Sequence, residues 1–188
     1  MANSLRYQRQ SLIKLKFDQG MIDQAIFNGK QLGSLNNSKM KGKSNWVGLL
    51  SEAAIAKYYG SKATPSNGHR HYDLIINNHK VEVKSKRNYS NEWSIYESSK
   101  FQKPDYYMFV RVDNPNDTKD VNAIRLAGFI SYQEFWNNCI YYPKGTQHID
   151  RNYKSNGNHY NIKQEILTCV SDTAVFGISN EVQLKLSI

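Results

Sequence analysis

Cysteine is scarce in this chain. There are two in 188 residues, Cys139 and Cys169, far apart and outside any CxxC pair. A disulfide framework or a structural zinc site is therefore not expected, and a reducing, intracellular setting fits. Long apolar runs are missing too. Nothing approaches the stretch of about 20 apolar residues that a transmembrane helix needs. The opening "MANSLRYQRQSLIKLKF" also lacks the continuous apolar segment of a signal peptide. No internal repeat marks a solenoid or propeller, and no P-loop marks an ATP-driven machine. Acidic residues are in short supply: 16 Asp and Glu against 25 Lys and Arg leave a net charge of +9. So basic a surface attracts polyanions, of which nucleic acid is the commonest in a cell. The expectation is a soluble cytoplasmic protein with no membrane partner, in a bacterial or phage-infected cell. The many Asn, Lys, Tyr and Ile residues point to an AT-rich genome, that of a phage or mobile element.

What is present reads as one domain over 1–188. It has a core over about 45–140, a basic N-terminal arm over 1–44 and a basic, aromatic C-terminal elaboration over 141–188. A helix is expected over roughly 21–32, followed by a cationic polar loop. In "WVGLLSEAAIAKYYG", Val47, Leu50, Ala54 and Tyr58 recur at helical spacing, with Ser44 or Asn45 able to cap the start and Gly60 suited to the end. Two strands follow in "HYDLIINNHKVEVKSKR", a short third in "EWSIY", and a short helix in "ESSKFQK". "DYYMFVRV" has no consistently polar side and reads as a central strand. "AIRLAGFI" is another strand, and "SYQEFWNN" opens with the Ser-x-x-Glu of a capping box. Residues 141–161 read as irregular, and "AVFGISNEVQLKLSI" offers a further strand or two. This order implies an α/β (α+β) fold, a mixed sheet flanked by helices.

The hairpin carries the chemistry. Asn77-Asn78 suits a two-residue turn, because Asn tolerates the positive φ such turns need. That turn sets Leu74 opposite Val81 and Asp73 opposite Glu82. Alternation then places Leu74, Ile76, Val81 and Val83 on an apolar face and Asp73, Glu82, Lys84 and Lys86 on the other. Opposed carboxylates destabilise each other, and a hard divalent ion relieves them. Mg²⁺ typically takes one or two protein carboxylates, waters and substrate phosphate. Lys84, two residues beyond Glu82, can reach a scissile phosphate or the attacking water. These are the charges metal-assisted phosphodiester hydrolysis requires.

Asp73, an eight-residue gap and then "EVK" at 82–84 resemble the PD-(D/E)xK nuclease superfamily, which includes restriction enzymes, Holliday-junction resolvases, some homing endonucleases and phage exonucleases. The resemblance implies a restriction-endonuclease-like αβββαβ core over residues 45 to about 130. It implies Mg²⁺, with Mn²⁺ as a substitute, bound by Asp73, Glu82 and the backbone carbonyl of Val83. Lys84 takes the catalytic lysine role, and Glu52, on the helix before the first strand, matches a glutamate many members carry. His71-Tyr72 stands where the motif's Pro would precede Asp73.

"DTK" at 117–119 repeats the tripeptide in an Asn- and Pro-rich loop without an opposed acid. Strand context and Asp73, rather than the tripeptide, therefore single out "EVK". Lys86, Arg87, Lys41, Lys43, Lys144, Arg151 and Lys154 are candidate DNA contacts, the last three among Tyr141, Tyr142, Tyr153 and Tyr160, whose rings can stack on bases. His148 and His159 lack the compact His–Asn–His cluster of another nuclease class. The expected function is a Mg²⁺-dependent DNA endonuclease, site-specific in the restriction or homing manner and acting on double-stranded DNA as a homodimer or higher homo-oligomer. The alternatives are a junction resolvase or an end-processing exonuclease. From a different class, the alternative is a DNA-binding protein without catalysis.

Overall fold

The computed structural model describes residues 13–31, 45–66, 71–86, 90–112, 123–148, 153–169 and 175–176. Its centre is a six-stranded mixed sheet in the order β1-β7-β6-β4-β3-β2. The strands are β1 (Ile13–Lys16), β2 (Ala63–Pro65), β3 (Leu74–Ile76), β4 (His79–Lys86), β6 (Tyr106–Val112) and β7 (Ala123–Ser131). Only β4 and β6 run parallel; the other neighbours are antiparallel. A smaller sheet, β5-β11-β8, is built from β5 (Glu92–Tyr96), β8 (Ile140–Tyr142) and β11 (His159–Lys163). β9 (Gln147–His148) and β10 (Tyr153–Lys154) form a two-stranded ribbon.

Each face of the main sheet has its own core. Helices α1 (Gln19–Gln31) and α2 (Asn45–Tyr59) cover one face, where Val47, Leu50, Ala54, Ile55 and Tyr58 pack on Leu74, Ile76, Val81, Val83, Met108 and Val110. The expected stripe on α2 is buried as its spacing requires. Trp46, Ser51 and Tyr59 are buried as well, so the helix is enclosed over more than one stripe. Tyr107, Phe109, Ala127 and Ile130 point to the opposite face and meet Trp93, Ile95, Ile162 and Phe135. Phe135 comes from α3 (Tyr132–Asn138), whose Ser131–Glu134 capping box is present in full. β6 is central, with Tyr107 to Val112 all buried.

Several expectations change. "EWSIY" is a strand, β5, but it joins the smaller sheet rather than the main one. The three-stranded run after α2 is instead β2, β3 and β4. β2 is only three residues long and carries Pro65, which an edge strand tolerates; so short a segment has no readable period. The crossover from β4 to parallel β6 contains β5 and one 3₁₀ turn, Glu97–Ser99, where a helix was expected in "ESSKFQK". Residues 141–161 are not irregular throughout, because β8 to β11 pass through them. Tyr, His and Asn at their inward positions masked the alternation. Residues 13–31 belong to the core: β1 pairs with β7, and α1 packs on α2. The possible cap Ser44, the loop 33–44 and the tail beyond 176 lie outside the described residues.

One backbone position in β7 is demanding. The β6–β7 register shifts between Phe109 and Val110, leaving Ala127 as the extra residue of a bulge. Gly128 beside it has φ of 147°, and a Cβ there would sit 2.7 Å from Leu167 Cβ and 2.8 Å from Thr168 O. The missing side chain lets Phe129 exchange backbone hydrogen bonds with Thr168. Gly128→Ala is expected to cost about 2 kcal/mol or more, from strain and from the displaced segment. Urea unfolding measures it, and an unchanged midpoint would contradict it.

Candidate active site

The turn forms as the two asparagines require. Asn77 and Asn78 have φ of 48° and 68°, both in the left-handed region that a type I′ hairpin turn needs. The register is Leu74↔Val81, Ile75↔Lys80 and Ile76↔His79, as expected. A β-branched residue fits such a φ poorly. Asn78→Val is therefore expected to lose about 1–2 kcal/mol and to loosen the acids that the turn places; thermal melting measures it.

Asp73 departs from simple opposition to Glu82. The ladder ends at Leu74↔Val81. Asp73 donates its own N–H to Val81 O (3.0 Å), and its carbonyl accepts from Ser66 N–H (3.0 Å). Its carboxylate then accepts the Val83 N–H at 2.7 Å. The side chain thus replaces the carbonyl that a longer β3 would have offered Val83. The reason is local: β3 stops, Val83's N–H still needs a partner, and Asp73 is the residue within reach. Since N–H and C=O of one strand residue project to the same edge, Val83's carbonyl also lies on the Asp73 side of β4.

Glu82 and Lys84 share the face opposite Val81 and Val83, as alternation requires. Lys84 Nζ donates to Glu82 Oε1, with the two side chains 27% and 7% exposed. Glu82 stands beside Tyr107 and Lys84 beside Phe109 in the parallel β4–β6 register. Glu52 arrives from α2, on the other side of the sheet, and still feels the charges of Glu82 and Lys84. β3 begins only at Leu74, and acids from a helix (Glu52), a strand end (Asp73) and a strand interior (Glu82) lie near enough to act on one another electrostatically.

Their electrostatics show the crowding. Burial first, and then the Glu82 charge, push the Glu52 carboxyl from 4.5 up to about 7, against the pull of Lys84. Burial also drives Asp73 well above the ordinary carboxylate range; the charges of Glu52 and Glu82 add to this, and the Val83 N–H and Lys84 oppose it. One ammonium does not compensate three carboxyls. As the side chains stand, no group of three or more His, Cys, Asp and Glu is set to hold a metal ion among the described residues. Mg²⁺ asks for less, since one or two carboxylates with waters and substrate oxygens suffice. Asp73, Glu82 and Glu52 are oxygen donors of the kind that a hard divalent cation takes.

The other candidates are scattered. Lys86 has its ammonium on Ser90 O and Glu92 O (2.8 Å to the latter) and 3.8 Å from the Trp93 ring centroid, where it ties β4 to the start of β5. Lys144 and Lys154 are exposed, near each other at the ribbon, since Lys154 Cε comes within 3.8 Å of where a Cβ on Gly145 would lie. Lys41, Lys43, Arg87 and Arg151 lie outside the described residues. His148 and His159 are buried and form one ring cluster with Tyr142, which stacks on His159 at 5.5 Å. Missed by sequence reasoning were Tyr107, brought beside Glu82 only by the parallel pairing, and the cleft along β5, because β5's place in a second sheet leaves no local trace.

No protein-family model matches the chain, and no curated protein matches it in sequence. Among the described residues, no helix is long and apolar enough to cross a membrane.

Proposed function

We propose that this protein is a Mg²⁺-dependent DNA endonuclease of the PD-(D/E)xK type, hydrolysing phosphodiester bonds at the Asp73–Glu82–Lys84 edge of β4. The observation that carries the reading is the meeting of Glu52, Asp73 and Glu82 around one lysine in a protein of charge +9. Carboxylates that face phosphate repel it, so a surface meant only to bind DNA gains nothing from placing three of them here.

Asp73 and Glu82, with the Val83 carbonyl, would hold the cation, and Glu52 would assist. Bound there, a divalent ion lowers the pKa of its water and neutralises charge on the phosphoryl oxygens. The protein's own groups do the rest. The Val83 N–H fixes the Asp73 carboxylate in one orientation. Glu82 is ion-paired with Lys84; were a cation to take the Glu82 carboxylate, the Lys84 ammonium would be free to meet the scissile phosphate or the attacking water. Glu52, with an affinity for protons near neutrality, can hold or release one at the edge of the site. A homodimer places two such edges on the two strands of a duplex.

The test is direct. Supercoiled plasmid, linear, branched and single-stranded DNA are incubated with the protein in Mg²⁺, Mn²⁺ or EDTA. Metal-dependent cleavage supports the reading. Binding with no cleavage of any substrate in either metal leaves a DNA-binding protein without catalysis.

A further inference from the structure

The site described above ends at Lys84, but the surface beyond it is not flat. A cleft of about 280 Å³ opens between the C-terminal half of β4 and β5, starting at Lys84 and passing Lys86, Trp93, Ser94, Tyr96 and Ser99. It exists because β5 leaves the main sheet to pair with β11, so the crossover arches over the β4 face instead of packing a helix onto it. Its lining is cationic at one end and rich in hydroxyls. The acid that lines it, Glu92, is occupied, since Asn161 Nδ2 donates to its carboxylate at 3.0 Å. The Lys86 ammonium is held in the wall by the backbone carbonyls of Ser90 and Glu92. Tyr96 offers a half-buried ring, steadied by its hydroxyl on Asn156 (3.3 Å) and by an edge contact with His159 (6.1 Å between centroids).

The cleft lies at the lower end of the range of ligand pockets, about 300 Å³, a space on the order of one base with its sugar. Two of the lining hydroxyls are engaged, Ser94 Oγ on Asn161 Oδ1 (2.6 Å) and Ser90 Oγ on Glu92 O (3.1 Å); what the cleft offers a single extruded or unpaired nucleotide is an aromatic wall beside the Lys84 and Lys86 ammoniums. Its phosphate would lie towards Lys84, continuous with the acid cluster.

We propose that this cleft is a subsite for one unpaired nucleotide adjoining the scissile phosphate, so that the DNA cut here is unpaired or readily unpaired at the cut. The proposal rests on the nuclease reading for its place in a reaction but not for its binding property. A duplex must give up pairing and stacking to fill the subsite, and a strand with an unpaired nucleotide need not.

Three end-labelled DNAs test it with the full chain: a duplex, the same duplex carrying one unpaired nucleotide, and the single strand. Cleavage in Mg²⁺ gives kcat/KM, and fluorescence anisotropy in EDTA gives affinity. The two DNAs with unpaired nucleotides are expected to exceed the duplex by about tenfold or more in both. Ser94→Trp, which fills the cleft from β5 and also removes the Ser94 Oγ–Asn161 Oδ1 hydrogen bond (2.6 Å), is expected to bring that ratio close to one, and Ser94→Ala, which removes the hydrogen bond alone, to retain it. Tyr96→Ala is expected to lower the ratio, and Tyr96→Phe, which keeps the ring, to retain it. Circular dichroism checks that each variant is folded. Cleavage with equal kcat/KM on all three DNAs overturns the subsite and leaves the nuclease. Selective binding of the unpaired DNAs, lost in Ser94→Trp, with no cleavage anywhere, overturns the nuclease and leaves the subsite. Equal affinity for the three DNAs without cleavage overturns both.

Discussion

Glu82→Ala and Lys84→Ala are each expected to reduce Mg²⁺-dependent cleavage of DNA by about a thousandfold, with DNA binding retained. The two losses have different origins, and the difference can be measured. Glu82 is a buried carboxylate, 7% exposed, held by Lys84. Its removal takes away a cation ligand and also a negative charge facing phosphate, so affinity for DNA in EDTA is expected to rise in Glu82→Ala. Lys84→Ala does the reverse. It leaves Glu82 buried without its ammonium and adds to the repulsion on Asp73 and Glu52, which Lys84 now relieves. This variant should bind DNA more weakly in EDTA, and added Mg²⁺ should raise its melting temperature more than it raises that of the parent. Single-turnover cleavage and anisotropy together separate the cases. Parental cleavage rates in either variant would place the chemistry elsewhere in the molecule.

Without divalent cations, the protein is expected to lose stability as pH rises from about 5 to about 8. The sign follows from the direction of the shifts. Glu52 rises from 4.5 to about 7 on folding, so within that window the folded chain holds a proton that the unfolded chain has lost. The contribution of Glu52 to stability is therefore fully present below 4.5 and is lost as pH climbs through 7. For Glu52 alone the full change corresponds to roughly 3 kcal/mol. Asp73, raised by the same crowding, adds in the same direction. Mg²⁺ or Ca²⁺ compensates the ionised acids and should flatten the slope, with protons released on binding. Glu52→Gln should flatten it without any cation. Thermal melts across this range, with EDTA or with cation, supply the measurement. A melting temperature that climbs between pH 5 and 8 in EDTA would contradict the raised Glu52 carboxyl.

Much of the site's local chemistry was legible because it depends on short sequence separations. Two asparagines fix a two-residue turn, the turn fixes the register, and alternation sends Val81 and Val83 one way and Glu82 and Lys84 the other. The capping box at Ser131 and the buried stripe of α2 are equally local. The path of the third strand was not legible. "EWSIY" has the period of a strand, but period does not reveal a partner, and its partner β11 lies some 65 residues away in a segment whose Tyr, His and Asn hide the alternation. β2 escaped notice for the opposite reason: three residues are too few to show any period. Nor did the sequence foretell that Asp73 would spend one carboxylate oxygen on the Val83 N–H. That bond exists because β3 stops at Leu74, and where a strand stops is decided by what pairs with it.

The sequence alone determined the hairpin, its turn, the sidedness of Glu82 and Lys84, and the positive charge that invites a polyanion, because each follows from chain stereochemistry or from a sum over residues. Tertiary packing alone decided the rest: that Glu52 reaches the same edge from α2, that Tyr107 lies beside Glu82, and that β5 lifts away to leave a cleft next to Lys84. Those contacts join segments whose separation along the chain carries no local signal, and they form only where burying two apolar faces of one sheet outweighs the cost of crowding three acids.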